Sequence, residues 1–576
     1  MINAGIRKMD RSLKQTCTVL AALLKDYGVR DIVVSPGSRN SPLIVAFVRS
    51  GFFSVREVID ERSAAFVGLG IALKSRRPVA VACTSGSALL NYGPAIAEAF
   101  YRRVPLIAIS ADRPACWIDQ DDSQTIRQPG AFDTVVRYSI DIPVEAGNPE
   151  QMWYVNRKIN DALTAATGPV KGPVHINIQL DEPLTQGHPV EGFEPRKIDS
   201  VYARSKGTDV LPEDLLQEIG CCPKVLVVAG FGSPDKDLEE ALSDLSRRPS
   251  FAVLAETQSN VRRAGGSNVM TNVDSTLRMI PPDALPDFRP GIVLTCGGAL
   301  LSRHVKTFLR NTPGLRHYSV GHDDCAIDCF KALAGRIEMD APEFFNALAK
   351  VAPENTPSDY RDRWAKIYRA GRRATASLAA AAPWSDFKAI AVLTQLLNSS
   401  APEWNVQLSN GTAVRYFQLF GYEGSGRIDC NRGVSGIDGC TSTAIGAAMA
   451  APEETTLLVS GDMSAQYDLG AFAIPCIPSG FKMAVLNNGG GGIFRFVGST
   501  SALPELDEFF VGDVRLPLRQ LADGFGFRYF EARSEDELRK VWPGFAAVSD
   551  APALLNIVTP GELSGEILKD YFNPGK

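Results

Sequence analysis

The sequence predicts an α/β protein of three doubly wound parallel-sheet domains in series. This fold class follows from the length of 576 residues, from short β-rich runs that alternate with helical segments, and from the recurrence of that alternation three times. The length is several times that of one typical domain of roughly 150 residues. Alternating strands and helices are typical of parallel sheets that are covered by helices on both faces.

Four strands are predicted in each domain. They lie at 31–34, 79–83, 106–110 and 175–179, then at 225–229, 251–254, 291–295 and 317–320, and finally at 405–408, 456–459, 483–487 and 553–558. A polar stretch rich in proline and glycine, 186–213, is a predicted linker, and the charged, alanine-rich segment 352–385 is a predicted helical connector. The predicted domains are therefore 1–185, 186–351 with the linker, and 352–576 with the connector.

Composition restricts the partners and the compartment. The chain has 60 basic and 65 acidic residues without a basic block, which argues against nucleic acid as a partner. Eleven dispersed cysteines favour reduced thiols in the cytoplasm over a disulfide framework. The apolar run 16–24 lacks a following small-residue cleavage site, so an ordinary first helix is expected. No apolar run is long enough to span a bilayer, and no membrane association is expected.

Two strand ends in the third domain carry oxygen ligands. Asp462 directly follows one predicted strand, and Asn488, 26 residues later, follows the next. The Asp462 carboxylate, the Asn488 amide oxygen and the backbone carbonyl of Gly490 suit Mg²⁺, with Mn²⁺ as the alternative, and diphosphate oxygens would complete the shell. Ligands also sit at the carboxyl ends of strands in open α/β sheets. The competing interpretation is two ordinary turns, because Gly-Asp and Asn-Asn-Gly favour turns anyway.

This pair of strand ends resembles the thiamine diphosphate motif, which is Gly-Asp-Gly followed by Asn-Asn after a crossover. Met463 stands in place of the second glycine. The resemblance implies thiamine diphosphate as the cofactor. The residues that it assigns to cofactor binding are Asn410, Gly411, Ser435, Gly461, Asp462, Met463, Ser464, Asn488 and Gly490.

Thiamine enzymes also use a carboxylate that hydrogen-bonds the ring nitrogen of the cofactor's aminopyrimidine. The string Val58-Ile59-Asp60-Glu61-Arg62 is predicted to end a strand and to open a helix over 63–73. Glu61 is the predicted catalytic carboxylate. Because an acid at a helix start is favoured by the helix dipole, that structural role fits Asp60 and Glu61 equally well in the sequence.

A closer resemblance lies in strings of the first and third domains. They are Ser35-Pro36-Gly37-Ser38-Arg39, Asp60-Glu61-Arg62, Thr84-Ser85-Gly86, Ala111-Asp112-Arg113-Pro114, 124–130 (QTIRQPG) and 432–439 (RGVSGIDG). They resemble the 2-succinyl-5-enolpyruvyl-6-hydroxy-3-cyclohexene-1-carboxylate synthases of the decarboxylase and acetohydroxyacid-synthase superfamily. The resemblance implies the thiamine-diphosphate-binding fold and a transferase of menaquinone biosynthesis, with 2-oxoglutarate and isochorismate as substrates. It also implies at least a homodimer, with a homotetramer favoured.

The resemblance assigns further site residues. Ser38, Arg39, Arg113, Gln124, Asn410, Arg415 and Arg432 are implied to contact substrate, and Gln124 is also a candidate for catalytic proton transfer. Ile437 is implied to support the bent cofactor, and Ile493 with Phe494 to line the apolar side. The family's middle-domain lysine is replaced by Arg303, with Lys306 as the other candidate. The arginines suit the chemistry, since both substrates are dicarboxylates and arginine binds carboxylates bidentately.

Two other functions remain open. Another thiamine enzyme, such as an acetohydroxyacid synthase or a simple 2-oxo-acid decarboxylase, would share the cofactor residues. A flavin in the middle domain would favour the synthase, but Gly230-Phe231-Gly232 lacks the third glycine of a dinucleotide fingerprint. A non-catalytic binding protein of the same fold is the third possibility. The presence of Glu61, Asp462 and Asn488 together argues against it.

Overall fold

The computed structural model describes residues 13–145, 147–187, 190–191, 193–200, 212–262, 268–322, 325–400, 403–424 and 426–572. Much of the predicted linker 186–213 lies outside these residues. The described part contains three six-stranded sheets, and every pairing recorded within them is parallel. The predicted fold class is therefore confirmed, while the predicted domain boundaries remain predictions.

The first sheet takes its strands from the first third of the chain. Its strands are β1 (Asp31–Val34), β2 (Ser54–Glu57), β3 (Val79–Cys83), β4 (Leu106–Asp112), β5 (Tyr138–Ile142) and β6 (Val174–Gln179). The helices of this stretch are α1 (Gln15–Asp26), α2 (Ser41–Arg49), α3 (Glu61–Ser75), α4 (Ser87–Leu90), α5 (Gly93–Tyr101) and α6 (Pro149–Thr167).

The second sheet occupies the middle of the chain. Its strands are β7 (Val225–Ala229), β8 (Phe251–Ala255), β9 (Val269–Met270), β10 (Ile292–Cys296), β11 (Arg316–Val320) and β12 (Leu333–Ile337). The helices are α7 (Glu213–Cys221), α8 (Lys236–Leu245), α9 (Val273–Arg278), α10 (Leu285–Phe288), α11 (Arg303–Arg310), α12 (Ala341–Val351) and α13 (Tyr360–Ala381). The long helix α13 lies within the predicted connector 352–385.

The third sheet is built from the last third of the chain. Its strands are β13 (Trp404–Leu408), β14 (Ile428–Cys430), β15 (Thr455–Gly461), β16 (Phe481–Asn487), β17 (Arg528–Ala532) and β18 (Ala553–Val558). The helices are α14 (Asp386–Asn398), α15 (Ala413–Phe420), α16 (Cys440–Ala450), α17 (Asp462–Tyr467), α18 (Gly492–Phe496), α19 (Leu518–Phe525), α20 (Glu535–Ala546) and α21 (Gly561–Phe572).

Strand order relates the first sheet to the third. The first runs β2-β1-β3-β4-β6-β5 and the third β14-β13-β15-β16-β18-β17, which is the same order. The second runs β12-β11-β10-β7-β8-β9, the order of a dinucleotide-binding sheet. In the first and third sheets, the order in which successive strands are added reverses between β1 and β3 and between β13 and β15. Ligands bind at the carboxyl ends of strands beside such a reversal, which here means beside β1 and β3, and beside β13 and β15.

The sequence located the four inner strands of every sheet, and the remaining strands are the sheet edges. Inner strands such as β3, β7 and β13 are buried at every residue. The edge strands β2, β12 and β17 are largely half-exposed, and β9 spans two residues. Strands buried on both faces need continuous apolar runs, which are visible in a sequence, whereas edges do not. Of the edges, the sequence indicated only β2, predicted to end at 58–62 but ending at Glu57.

The chain divides into two compact units. Unit 1 contains Met1–Tyr202, Gly433–Glu453 and Tyr467–Phe481, and unit 2 contains Ala203–Arg432, Glu454–Gln466 and Lys482–Lys576. Within unit 1, α3 packs against α16 at very close range. A side chain at Gly70 would place its Cβ 2.0 Å from the Thr443 carbonyl oxygen, and one at Gly446 2.2 Å from that of Val67. Two glycines therefore allow these backbones to touch.

Within unit 2, side chains join the second sheet to the third. The Gln418 side-chain oxygen accepts from the backbone N–H of Thr257 at 2.8 Å. Asn260 both donates to the Ile428 carbonyl and accepts from the Ile428 N–H, each at 2.8 Å. These bonds fix the loop after β8 beside the edge strand β14. In the part of the chain that the structure describes, no helix is long and apolar enough to cross a membrane.

Candidate active site

Asp462 begins α17 directly after β15, at the carboxyl edge of the third sheet in unit 2. Its side chain is 1% exposed. One carboxylate oxygen accepts from the backbone N–H groups of Gly489 and Gly490 at 2.8 and 3.0 Å, and the other accepts from Met463 at 2.7 Å. Burial raises the pKa of Asp462 to about 7 although these N–H groups oppose the shift. Among the described residues, no cationic side chain is a leading cause of the shift at this carboxylate.

The loop after β16 carries glycines where its backbone takes a positive φ or packs closely on other backbone. Gly490 has φ +147°, and a Cβ there would lie 2.2 Å from the Val511 carbonyl oxygen. Asn488 precedes this loop, and its amide nitrogen donates to Asp386 at 2.6 Å. The predicted metal ligands Asp462, Asn488 and Gly490 thus follow two neighbouring strands, as expected.

These residues fit a magnesium ion. An ionised carboxylate offers about four lone-pair positions, and backbone donors to Asp462 use three of them. A divalent cation would also compensate the buried negative charge. The Asn488 nitrogen is occupied by Asp386, so its oxygen is the end that remains for a metal. Carboxylate, amide and carbonyl oxygens are the ligands that Mg²⁺ prefers.

Asn410 lies just after the carboxyl end of β13, the strand that neighbours β15 in the third sheet. Its amide nitrogen donates to the Asn431 carbonyl at 2.6 Å, and its oxygen accepts from Arg432 at 2.9 Å. The preceding Ser409 hydroxyl accepts from the N–H of Gly461 at 3.2 Å. The predicted residues Asn410, Gly411, Arg432 and Gly461 are therefore joined around one edge of the third sheet, and Gly411 takes φ +99° there. Met463 and Ser464 follow in α17.

A cluster of cations is found in the same unit. Burial, together with the charges of Arg432 and Arg303, lowers the pKa of Arg415 to about 10. Arg432 similarly contributes to the lowered pKa of Lys306, for which burial is the main cause. Within the described residues, the buried Nε groups of Arg415 and Arg432 have no hydrogen-bond partner. The sequence candidates Arg303 and Lys306 thus both join this cationic cluster.

Two buried acids anchor the segment that carries Arg303. Glu256, at the end of β8, accepts from the N–H groups of Leu301 and Ser302, both at 2.7 Å. Burial raises the pKa of Glu256 to about 7. Asp274 accepts from the Ser302 hydroxyl at 2.5 Å and lies 3.0 Å from His304 Nδ1. The sequence did not indicate these acids, because each contacts residues about 30 or more positions away.

The structure separates the roles of Asp60 and Glu61 in unit 1. Asp60 is the N-cap of α3, and its carboxylate accepts from the N–H groups of Arg62 and Ser63 at 2.9 and 3.4 Å. Glu61 is the first helical residue and is half-buried, and its carboxylate makes no hydrogen bond to any described residue. The capping role therefore belongs to Asp60, and Glu61 is the acid that remains for a ligand.

The other predicted residues of unit 1 follow its strand ends. Arg39, buried after β1, donates to the Leu180 carbonyl at 3.0 Å and pairs with Glu182 at 3.2 Å. Arg113, after β4, pairs with Asp122 at 2.9 Å, while its Nε lacks a partner within the described part. Gln124 is exposed with φ +50°, and its amide donates to the Ser85 carbonyl at 3.1 Å. Ser38 is exposed beside Arg39.

Buried polar side chains form a hydrogen-bond network that holds the loops after β3 and β4. Gln128 accepts from the N–H of Gly86 at 2.7 Å and donates to Asn177 at 2.8 Å. Asn177 in turn donates to Asp112 at 2.9 Å. Burial raises the pKa of Asp112 to about 6, whereas its bonds with Asn177 and the Arg113 N–H lower it. The network fixes the loop starts after β3 and β4, and therefore the backbone that carries Arg113.

Ser435 and Ile437 belong to a loop of unit 1 that precedes α16. The Glu98 carboxylate accepts from the N–H groups of Gly433 and Val434, both at 2.8 Å. Ser435 adopts φ +64°, a left-handed conformation that is uncommon for serine. Ile493 and Phe494 lie in α18 of unit 2, where Phe494 packs on Phe510 with 5.7 Å between ring centroids.

The comparisons with known proteins agree with this arrangement. Residues 14–131 match the N-terminal TPP binding domain of thiamine pyrophosphate enzymes. Among its relatives are three proteins named 2-succinyl-5-enolpyruvyl-6-hydroxy-3-cyclohexene-1-carboxylate synthase. The Porphyromonas gingivalis protein is 39% identical to this chain, and the alignment covers 98% of this chain and 97% of that protein. The Flavobacterium psychrophilum protein is 36% identical, and the alignment covers 95% of this chain and 96% of that protein. The Bacteroides fragilis protein is 35% identical, and the alignment covers 97% of this chain and 99% of that protein.

The class is thus that of the thiamine pyrophosphate enzymes, as the matched domain and the strand-end motifs indicate. Within that class, the chain belongs to the family of 2-succinyl-5-enolpyruvyl-6-hydroxy-3-cyclohexene-1-carboxylate synthases. The resemblance predicted from the sequence is confirmed.

Glu61→Gln should slow exchange of the thiamine diphosphate C2 proton by about 100-fold or more, because an amide cannot share a proton with the ring nitrogen in the same way. Exchange into D₂O, followed by NMR on the enzyme with Mg²⁺, measures this rate. Asp60→Asn is the matched control, since asparagine caps helices as well as aspartate does. Its exchange rate should stay within about threefold of the wild-type rate. Wild-type exchange in Glu61→Gln would contradict the assignment.

Proposed function

We propose that this enzyme decarboxylates 2-oxoglutarate and joins the remaining four-carbon unit to isochorismate. The product would be 2-succinyl-5-enolpyruvyl-6-hydroxy-3-cyclohexene-1-carboxylate, an intermediate of menaquinone biosynthesis. The proposal combines family membership with the chemistry of the strand ends. Its relatives in Porphyromonas gingivalis and Flavobacterium psychrophilum are named as synthases of this same product.

The cationic cluster of unit 2 is the observation that carries the substrate assignment. The Arg415 guanidinium makes no hydrogen bond to any described residue, and the Arg432 guanidinium donates through only one of its nitrogens, to Asn410. Like charges in a partly buried site are costly, as the lowered pKa of Arg415 reflects. A dicarboxylate would offset that cost, and guanidinium groups bind carboxylates bidentately. Arg39 and Arg113 of unit 1 are proposed to add further carboxylate contacts.

Thiamine diphosphate and Mg²⁺ are the proposed cofactors, with Mn²⁺ as an alternative metal. Asp462, Asn488 and Gly490 would hold the metal and, through it, the diphosphate. When bound, thiamine diphosphate supplies the electron sink that decarboxylation requires. Glu61 would hold a proton at the cofactor's ring nitrogen, and Gln124 is proposed to assist proton transfer to the substrate. Ile437, Ile493 and Phe494 would exclude water from the reacting atoms.

A flavin-containing acetohydroxyacid synthase is a weaker alternative. In the second sheet, the reversal point at which a dinucleotide would bind lies between β7 and β10. The loops after these strands touch there. The Gly298 N–H donates to the Phe231 carbonyl at 2.6 Å, and a Cβ on Gly230 would lie 2.3 Å from the Gly298 oxygen. Such contact leaves little space for a pyrophosphate.

At least a homodimer is proposed, with a homotetramer favoured, because the family combines Glu61 of one chain with Asp462 of another. Exposed apolar side chains on unit 1 support a protein interface. Ile59, two residues before Glu61, is 73% exposed, and Tyr467 and Leu90 are each about half-exposed.

A cytoplasmic location is proposed from the eleven cysteines, all of which are free thiols.

Selectivity for a distal carboxylate tests the substrate assignment. 2-Oxopentanoate has the chain length of 2-oxoglutarate without that carboxylate, so it should be used at least about 100-fold less efficiently. The expected factor follows from the roughly 2–5 kcal/mol cost of leaving a buried charge unpaired. Carbon dioxide release is measured for each acid, with and without isochorismate, and pyruvate serves as the second comparison. Equal use of 2-oxopentanoate, or indifference to isochorismate, would move the protein to the decarboxylase branch.

Mixing two inactive variants tests the shared site. Glu61→Gln and Asp462→Ala homodimers should each be inactive, but a mixed dimer has one site with both residues intact. After unfolding and refolding together, random pairing should restore up to about a quarter of the wild-type activity. Each variant refolded alone is the control. If the mixture stays as inactive as the separate variants, Glu61 and Asp462 do not come from different chains.

A further inference from the structure

Asp386 is a buried acid that the proposed function does not use directly. It is the first residue of α14 and is 1% exposed. One carboxylate oxygen accepts from the Thr559 hydroxyl at 2.5 Å, and the other accepts from the Asn488 amide nitrogen at 2.6 Å. Its own N–H donates to the Ser564 hydroxyl at 2.9 Å. The side chain is therefore fixed on both sides.

The bond to Asn488 has a directional consequence. A primary amide presents an oxygen at one end and a donor nitrogen at the other, and only the oxygen can bind Mg²⁺. A carboxylate accepts hydrogen bonds, so it selects the nitrogen end of Asn488. The oxygen is then the free end, and it has no hydrogen-bond partner among the residues that the structure describes.

The backbone of Asn488 is held as firmly as its side chain. Thr559 N–H donates to the Asn487 carbonyl at 3.1 Å, at the ends of the neighbouring strands β16 and β18. A Cβ on Gly561 would lie 2.3 Å from the Asn488 carbonyl oxygen, so the start of α21 packs directly on this residue. With the backbone fixed by these contacts, the remaining freedom of Asn488 is the rotation of its amide. Asp386 removes that freedom.

We propose that Asp386 is a positioning residue that orients the Asn488 amide with its oxygen toward the metal. This inference rests on the proposed metal site and deepens it. Outer partners of metal ligands are known to fix ligand orientation, and their loss costs about 10–100-fold in metal affinity. Asp386 would act by setting which end of the amide is presented, without binding the metal itself.

Asp386→Ala should weaken Mn²⁺ binding by about tenfold or more. The measurement is the EPR signal of free Mn²⁺, titrated against the full-length enzyme with thiamine diphosphate present. Binding weakens because the Asn488 amide, once freed from Asp386, can rotate and present its nitrogen to the metal. If Asp386→Ala does not fold, Asp386→Ser replaces it, because a serine hydroxyl is too short to hold the Asn488 nitrogen in the same way.

Two variants separate positioning from a structural role. Asp386→Asn can still accept from Asn488 through its oxygen while its nitrogen donates to Thr559, so Mn²⁺ affinity should stay within about threefold of wild type. This variant also loses the charge at the start of α14, so it controls for the helix dipole. Thr559→Val removes the other bond of Asp386 and leaves Asn488 held. It should lower thermal stability while Mn²⁺ affinity again stays within about threefold.

A double-mutant cycle identifies the residue through which Asp386 acts. Asn488→Ala should weaken Mn²⁺ binding, and adding Asp386→Ala to it should change affinity by less than about twofold. An additional loss of tenfold in the double variant would overturn the inference, as would wild-type Mn²⁺ affinity in Asp386→Ala. Asp462→Ala is the reference for the metal site itself. If that variant also binds Mn²⁺ normally, the proposed metal site is wrong; if it alone fails to bind, only the role of Asp386 is wrong.

Discussion

The burial of one carboxylate, Asp462, at the carboxyl end of β15 constrains the surrounding structure. A buried negative charge is costly unless hydrogen bonds or a cation compensate it. Three backbone N–H groups reach Asp462, and yet burial holds its pKa at about 7. Gly489 and Gly490, whose N–H groups donate to this acid, adopt φ +85° and +147°, and a Cβ at Gly490 would lie 2.2 Å from the Val511 carbonyl oxygen. The remaining compensation is what a divalent cation with a diphosphate would supply.

The cluster of cations proposed to bind substrate has the opposite difficulty, because its partly buried charges are positive. Arg415, Arg432 and Arg303 lie close enough for their charges to lower the pKa of Arg415 to about 10. Glu256 and Asp274 offset this cluster only in part: the charge of Asp274 raises the pKa of Arg415 and that of Glu256 raises the pKa of Lys306, yet both pKa values stay lowered. We propose that a metal with the diphosphate compensates the charge of Asp462, and that substrate carboxylates compensate the charges of the arginines.

The inner strands and the strand-end motifs could be predicted because each leaves a local signal. A strand buried on both faces is a continuous apolar run, and Gly461-Asp462 or Asn488-Gly489 stand directly after such runs. The half-exposed edge strands β12 and β17 lack that signal. Asp60 and Glu61 could not be distinguished either, since capping depends on φ, ψ and side-chain geometry. Asp386 lies 102 residues before Asn488, so only the folded chain relates them.

Calorimetry of thiamine diphosphate binding tests most directly whether Asp462 requires a cation. Asp462→Asn keeps the shape of the side chain and an acceptor for the glycine N–H groups but removes its charge. The wild-type enzyme should bind thiamine diphosphate far more tightly with Mg²⁺ than without it. In Asp462→Asn that dependence on Mg²⁺ should fall by about tenfold or more while the protein remains folded. Undiminished, Mg²⁺-dependent binding in the variant would show that the metal lies elsewhere.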